Sequence, residues 1–486
     1  MRKSIQVLAS VLAGLLLLSG CGGSGTDGGG KIETVTWYVP TLLTGNGKQA
    51  VMDKVNQILE ERYQMRLDLI GIDGGNYDQK MQVMNAGQEE YDLAFTSHWT
   101  NHFYSNVTNG AFYELTEDDL KTYAPKTYAS MSEEIWGAAK VDGKIYAVPN
   151  WQIQTRATSV NAPAEMLEKV GMTMDQLDSI ENITAYLEKI TAQDPACNKL
   201  DKMWTQLMPY NEMQEVYEED MPGAIYFTRQ GKPEVFNQYE SQEFTDYVHM
   251  RQDWVAKGLS ADSYLPDSKA DQKEIKQRPL IVHTYKPGEA EERSQSLGYQ
   301  WEGMQFSQAV LSSSGVTAAM TGVSATSKNP QAALKMIEII NTDSEIHNLL
   351  SYGIEGQDYE KVSENQIRVF EDKQYTGPAN WLIGSVANTY LLETQSPTTW
   401  EDTKKFNDEA LISPLMGFNA DLNPINVQVS NCKTVVKEYL EMLDLGLSND
   451  AKLAEFREKL KAAGADDIVT ELQKQVDEWY MAKEGV

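Results

Sequence analysis

The chain has 486 residues, with 42 Lys and Arg against 71 Asp and Glu, for a formal charge of −29. Its length and 41% hydrophobic content suit two or three globular domains. So acidic a surface argues against nucleic acid or an anionic lipid face as partner, and three cysteines are too few for a disulfide framework.

Arg2 and Lys3 precede an apolar run, 5–18, that is too short to span a bilayer and closes on Leu18-Ser19-Gly20-Cys21. This is the pattern of a secretory signal over residues 1–20. Its end resembles the lipobox of bacterial lipoproteins. That resemblance implies cleavage before Cys21, lipidation of the Cys21 thiol, and a body held at the extracytoplasmic face of the cell membrane. Two acyl chains, at about 0.8 kcal/mol per buried CH₂, suffice for stable anchoring. Losing Arg2 and Lys3 with the signal takes the formal charge from −29 to −31. Residues 21–30 are Gly-rich and bury nothing, so they are expected to act as a flexible tether.

The first third then alternates. Thr34–Pro40 is β-branched and aromatic, a strand. After Gly45-Asn46-Gly47, the spacing of Val51, Val55, Ile58 and Leu59 predicts an amphipathic helix. Arg66–Ile72 reads as a second strand, Tyr77–Ala86 as a helix, and Tyr91–Thr96 as a third strand. Strand–helix–strand–helix–strand means a parallel sheet wound with helices, and ligands of such sheets sit beyond the carboxyl ends of the strands. The loop there, Ser97-His98-Trp99-Thr100-Asn101-His102, carries an aromatic and several neutral hydrogen-bonding groups. Asp142-Gly143 predicts a tight hairpin turn within Val141–Trp151. Toward the C-terminus, 431–443 and 451–480 have helical spacing, and their Leu and Phe stripe is core rather than cofactor site.

The phrase 143–149 after Asp142 (DGKIYAVP), followed by Trp151, resembles the crossover segment of extracellular solute-binding proteins of carbohydrate ABC importers. Further phrases in the same order carry the likeness along the mature chain: Thr284-Tyr285-Lys286-Pro287-Gly288, Ala318-Ala319-Met320, 324–330 (SATSKNP), Tyr352-Gly353-Ile354-Glu355-Gly356, Asn380-Trp381 and Ser413-Pro414-Leu415-Met416-Gly417-Phe418. The last two are similar to a lipoprotein branch with an extra C-terminal region. At Gly384 the chain departs from the family pattern, which usually has Asn soon after the Asn-Trp pair.

What the resemblance implies is an α/β, two-lobed periplasmic-binding-protein-like fold, each lobe a mostly parallel sheet with helices on both faces. Residues 31–149 and 280–343 would form the first lobe and 150–279 the second. Residues 344–486 would be a mostly helical region packed on them. The implied function is capture of a neutral oligosaccharide between the lobes by a monomer. The ligand would pass to ABC permease transmembrane subunits with no cofactor, no metal and no chemical step. Binders of peptides or another small solute share the fold, and a surface glycosidase is a more distant alternative.

A sugar offers an apolar C–H face and a belt of hydroxyls. Indoles cover the first at roughly 1–2 kcal/mol per stacked ring, and amides and guanidinium groups bond the second. Micromolar capture requires about −8 kcal/mol, within reach of two or three platforms and several hydrogen bonds. The candidate platforms are Trp99, Trp151 and Trp381. Gln152, Gln154 and Arg156 follow Trp151 on an extended segment where alternate residues share a face, though Arg156 also suits a hinge ion pair. Tyr38, Asn101 and Tyr285 complete the set. His98 and His102 are four apart, but no Cys or carboxylate stands at metal-ligand spacing beside them. With 71 acidic residues any glycosidase carboxylate pair can be nominated.

Overall fold

The strand–helix alternation does build a sheet in the computed structural model, which describes residues 32–261 and 275–484. The proposed signal, the tether and Cys21 lie outside the described residues. Strand β1 (Glu33–Val39) buries Val35, Trp37 and Val39 on alternate positions, as period 2 requires. Helix α1 (Lys48–Tyr63) buries the four residues whose spacing predicts it. Then come β2 (Met65–Gly71), α2 (Gly74–Gly87) and β3 (Leu93–Thr96). Strands β2, β1 and β3 lie parallel in that order. The hairpin at Asp142-Gly143 is present, with β4 (Lys140–Val141) and β5 (Lys144–Ile145) antiparallel and both turn residues at positive φ. Next comes β6 (Ala147–Pro149). The strand Met320–Val323 closes the five-stranded sheet, antiparallel to β3 on one side and to β6 on the other.

Beyond β6 the chain enters the hinge at β7 (Thr155–Arg156) and the second lobe at β8 (Thr158–Pro163). Two expectations are corrected here. Ile281–Thr284 and Trp301–Gln305 flank β8, so the chain stays in the second lobe past residue 280 and rejoins the first-lobe sheet only at Met320. All these pairings are antiparallel, so the parallel sheet expected of both lobes is confined to three strands of the first. An apolar strand buried on both faces reads alike in either direction, which is why the sequence pattern misses this.

Three crossings make the hinge. Strand β7 pairs antiparallel with Val310–Leu311, which pairs parallel with Leu411–Ile412. Packing there is tight: a Cβ on Gly315 would sit 2.1 Å from the Gln154 carbonyl oxygen. Asn407, near the end of helix Thr399–Glu409, clamps the first crossing. Its carboxamide donates to the Gln152 carbonyl at 2.7 Å and accepts from the Gln154 N–H at 3.0 Å.

The region after 344 divides between the lobes. Ile346, Leu349, Leu350, Tyr375, Leu382 and Ile383 join the first-lobe core. Helices Asn426–Asp444, Asp450–Ala463 and Ala465–Glu484 put Val429, Phe456, Leu460 and Leu472 into the second-lobe core with Trp204 and Phe244. Buried Asp444 ties the two together by accepting from the Met203 N–H at 2.8 Å and from the Tyr247 hydroxyl. Cys197 and Cys432 are both buried and unpaired. Among the described residues, no helix is long and apolar enough to cross a membrane.

Candidate functional site

The carboxyl end of β3 delivers Trp99 to the mouth between the lobes. Its indole is 47% exposed, unusual for so large a ring. It is nonetheless held: the indole N–H donates to the Ala318 carbonyl at 2.8 Å. Trp381 stands beside it, ring centroids 6.4 Å apart, and buried Phe95 backs both at 5.8 and 6.0 Å. Trp381 is positioned by Asn150, whose amide donates to its carbonyl at 2.9 Å. A preformed aromatic corner results.

That corner borders a cavity of about 250 Å³ between the lobes. The first lobe supplies His98, Trp99 and Ala318, and the hinge supplies Gln152, Ile153, Arg156 and Gly315. The second lobe contributes Gln206, Glu219 and Thr284. Thr284 donates to the Gln206 carboxamide oxygen at 3.1 Å, which fixes both. The Arg156 guanidinium is 2.8 Å from Glu219 and 3.4 Å from Glu215. Burial alone would lower the Arg156 pKa, but the two carboxylates raise it above its ordinary value. Arg156 in turn holds Glu219 below the usual carboxylate range. Glu215, with a side chain only 5% exposed, is instead pushed up by burial. The lining is therefore a neutral amide and hydroxyl set around a saturated ion pair, with acid in excess.

The structure sorts the sequence-derived candidates. Trp99, Gln152 and Arg156 line the inter-lobe cavity, and Trp381 abuts it through Trp99. Gln152 and Arg156 both face the cavity, but Ile153 does too, so the expected alternation is not kept along this segment. Gln154 does not reach it: the side chain is 1% exposed, and neither amide atom has a hydrogen-bond partner among the described residues. Asn101 is also internal. It adopts φ 44°, donates to the Phe95 carbonyl at 2.8 Å and accepts from the Asn106 amide, so it builds the loop that presents Trp99. Tyr38 packs edge-on against Tyr91. Tyr285 packs on Phe406 and faces a separate depression with Lys286 and Trp301. Trp151 opens into another cavity. Sequence reasoning missed Gln206, Glu219 and Thr284. Only Thr284 carried a signal, as the residue before Tyr285 in a phrase already noticed.

Neither His98 nor His102 belongs to a metal cluster, and no group of three potential ligands occurs among the described residues. Burial lowers the His98 pKa to about 4. His347 is fully buried, its ring nitrogens 3.1 Å from the carbonyls of Ile340 and Asn380, the residue before Trp381. Its pKa is likewise lowered by burial from 6.5 to about 4. The unfolded chain therefore takes this proton first. The His347 contribution to stability is whole above pH 6.5 and is lost as pH falls toward 4, on the order of 3 kcal/mol. Melting curves across this window should show wild type losing stability more steeply than His347→Gln. Parallel curves would refute it.

Residues 414–481, the helical region on the second lobe, match the model of a family described as Domain of unknown function (DUF3502). Over 99% of this chain and 97% of its own length, a carbohydrate ABC transporter substrate-binding protein of Streptococcus pneumoniae is 25% identical. Among solved structures, the N-glycan transport solute-binding protein NgtS of S. pneumoniae aligns over 93% of this chain and 100% of its own. Its identity is 23% and its TM-score 0.82. The same protein in complex with Man5GlcNAc gives a TM-score of 0.75. An extracellular solute-binding protein from Bifidobacterium longum subsp. infantis, 15% identical, covers 93% of this chain and 99% of its own at a TM-score of 0.63. The fold is that of two-domain solute-binding proteins, and the resemblance read from the phrases holds in sequence and in architecture. These relatives are substrate-binding transport proteins, not enzymes.

Proposed function

We propose that the chain captures a neutral oligosaccharide between its lobes and delivers it to the permease of an ABC importer, working from the extracytoplasmic face through a lipid on Cys21. One observation carries the ligand class: an exposed, hydrogen-bonded indole, Trp99, set at a cleft whose polar groups are mostly amides and hydroxyls. The flat ring suits a sugar's C–H face, and Gln152, Gln206 and Thr284 suit its hydroxyls. Arg156 is satisfied by two carboxylates, so an anionic ligand finds no free cation among these lining residues. One similar protein, NgtS, crystallised with Man1GlcNAc and with Man5GlcNAc, supports a mannose- and N-acetylglucosamine-containing ligand. Closure needs a ligand that touches both lobes only when they meet, and His98 and Trp99 opposite Glu219 and Thr284 supply the two sides.

The test is a titration of the full mature chain, followed by tryptophan fluorescence. The panel holds neutral oligosaccharides of two to seven units, Man5GlcNAc among them, and short peptides. Saturable quenching by saccharides in the micromolar range is expected. A response to peptides and none to saccharides would overturn the reading.

A further inference from the structure

A second cavity, about 700 Å³, is larger than the one between the lobes. It shares no lining residue with the inter-lobe cavity. Gln152 lines the inter-lobe cavity, whereas its neighbour Trp151 opens here. Trp400 and Tyr390 complete an aromatic wall with Trp151.

The Trp400 ring is held by its own hydrogen bond, and the backbone that carries the other two is pinned. The Trp400 indole N–H donates to the Thr389 carbonyl at 2.9 Å. The Tyr390 backbone N–H donates to the Asn348 carboxamide oxygen at 2.8 Å. The Val386 N–H donates to the Trp151 carbonyl at 2.9 Å. The remaining lining is rich in hydroxyls and amides, with Ser344, Ser385 and Asn388 among them. Its only charged groups are Glu401 and Lys404, which are exposed and of opposite sign. Three aromatic side chains and a fringe of hydroxyls and amides, with the Lys361 ammonium 4.9 Å from the Tyr390 ring centroid, form a lining suited to a saccharide.

We infer that this cavity is a second binding site for neutral saccharide, built on Trp151, Tyr390 and Trp400 and separate from the inter-lobe cleft. It goes beyond the proposed function by adding a site, and takes from that reading only the choice of probe. An occupant would lie against helix Thr399–Glu409, whose Asn407 clamps the hinge crossing.

The experiment is ¹⁹F NMR of the full mature chain carrying 5-fluorotryptophan. Resonances are assigned by single Trp→Phe variants, and the probe is the same oligosaccharide panel. In Trp99→Ala, saccharide should still shift the Trp151 and Trp400 resonances, with a midpoint within threefold of wild type. Trp400→Ala should weaken the Trp151 response at least fivefold while Trp99 and Trp381 still respond. Movement at Trp99 and Trp381 with Trp151 and Trp400 still at saturation would overturn the second site and leave the cleft reading intact. Movement at Trp151 and Trp400 alone would do the reverse. Loss of every shift in Trp99→Ala would mean that the far resonances only report closure, which also overturns it. Silence throughout would end both readings.

Discussion

Arg156→Met is expected to lower stability by about 3–5 kcal/mol, the usual cost of removing one partner of a buried ion pair. The side chain is 13% exposed and sits on hinge strand β7. Its loss leaves Glu215, buried at 5% exposure, with no cation within reach and Glu219 close by. Glu219 is 42% exposed, so solvent screens its share and most of the cost falls on Glu215.

The pH dependence gives a second readout. In the variant, the folded-state pKa of Glu215 rises further, because burial already pushes it up and Arg156 no longer opposes. A carboxyl raised in the folded state penalises folding above that pKa, and the penalty is relieved as pH falls. The deficit should therefore be largest near neutrality and narrow in mild acid. Arg156→Met combined with Glu215→Gln should recover most of it. Equal denaturation midpoints for wild type and Arg156→Met at pH 7 would show that the pair contributes nothing.

Trp99→Ala should weaken saccharide binding about tenfold to thirtyfold while leaving the melting point within a few degrees of wild type. A stacked ring is worth roughly 1–2 kcal/mol, and each 1.4 kcal/mol is a factor of ten. Trp99 is half exposed, so its removal opens no core cavity. Its partner Trp381 loses a neighbour 6.4 Å away, which takes the effect above one ring's worth. Trp99→Phe should fall between, retaining a face but losing the bond to Ala318. Isothermal titration with the best saccharide of the panel measures this, and unchanged affinity in Trp99→Ala would remove the platform from the site.

The local pattern made much of this legible. Val51, Val55, Ile58 and Leu59 announce α1 because the helical period is written in one stretch of chain. Asp142-Gly143 announces a hairpin because only certain residues accept positive φ at both turn positions. Trp99 could be nominated because strand ends of a parallel sheet are where its loops converge. Trp151 and Gln152 show where such reasoning stops. Their alternation is readable, but which side faces the cleft depends on what packs against each, here Asn407 and Val386 from more than 230 residues away.

The sequence by itself determined the elements of the first third, the aromatic loop after β3, and the family of folds to which the ordered phrases belong. Each is set by spacing over a few residues or by motifs met one after another. Only the tertiary structure decided that Ile281–Thr284 pairs with β8, that Asn101 and Gln154 are buried, and that Arg156 is bound by Glu215 and Glu219. Apart from Asn101, whose partners Phe95 and Asn106 are near in sequence, those facts arise from contacts between segments about 60 to 250 residues apart, and no local period records which distant groups will meet.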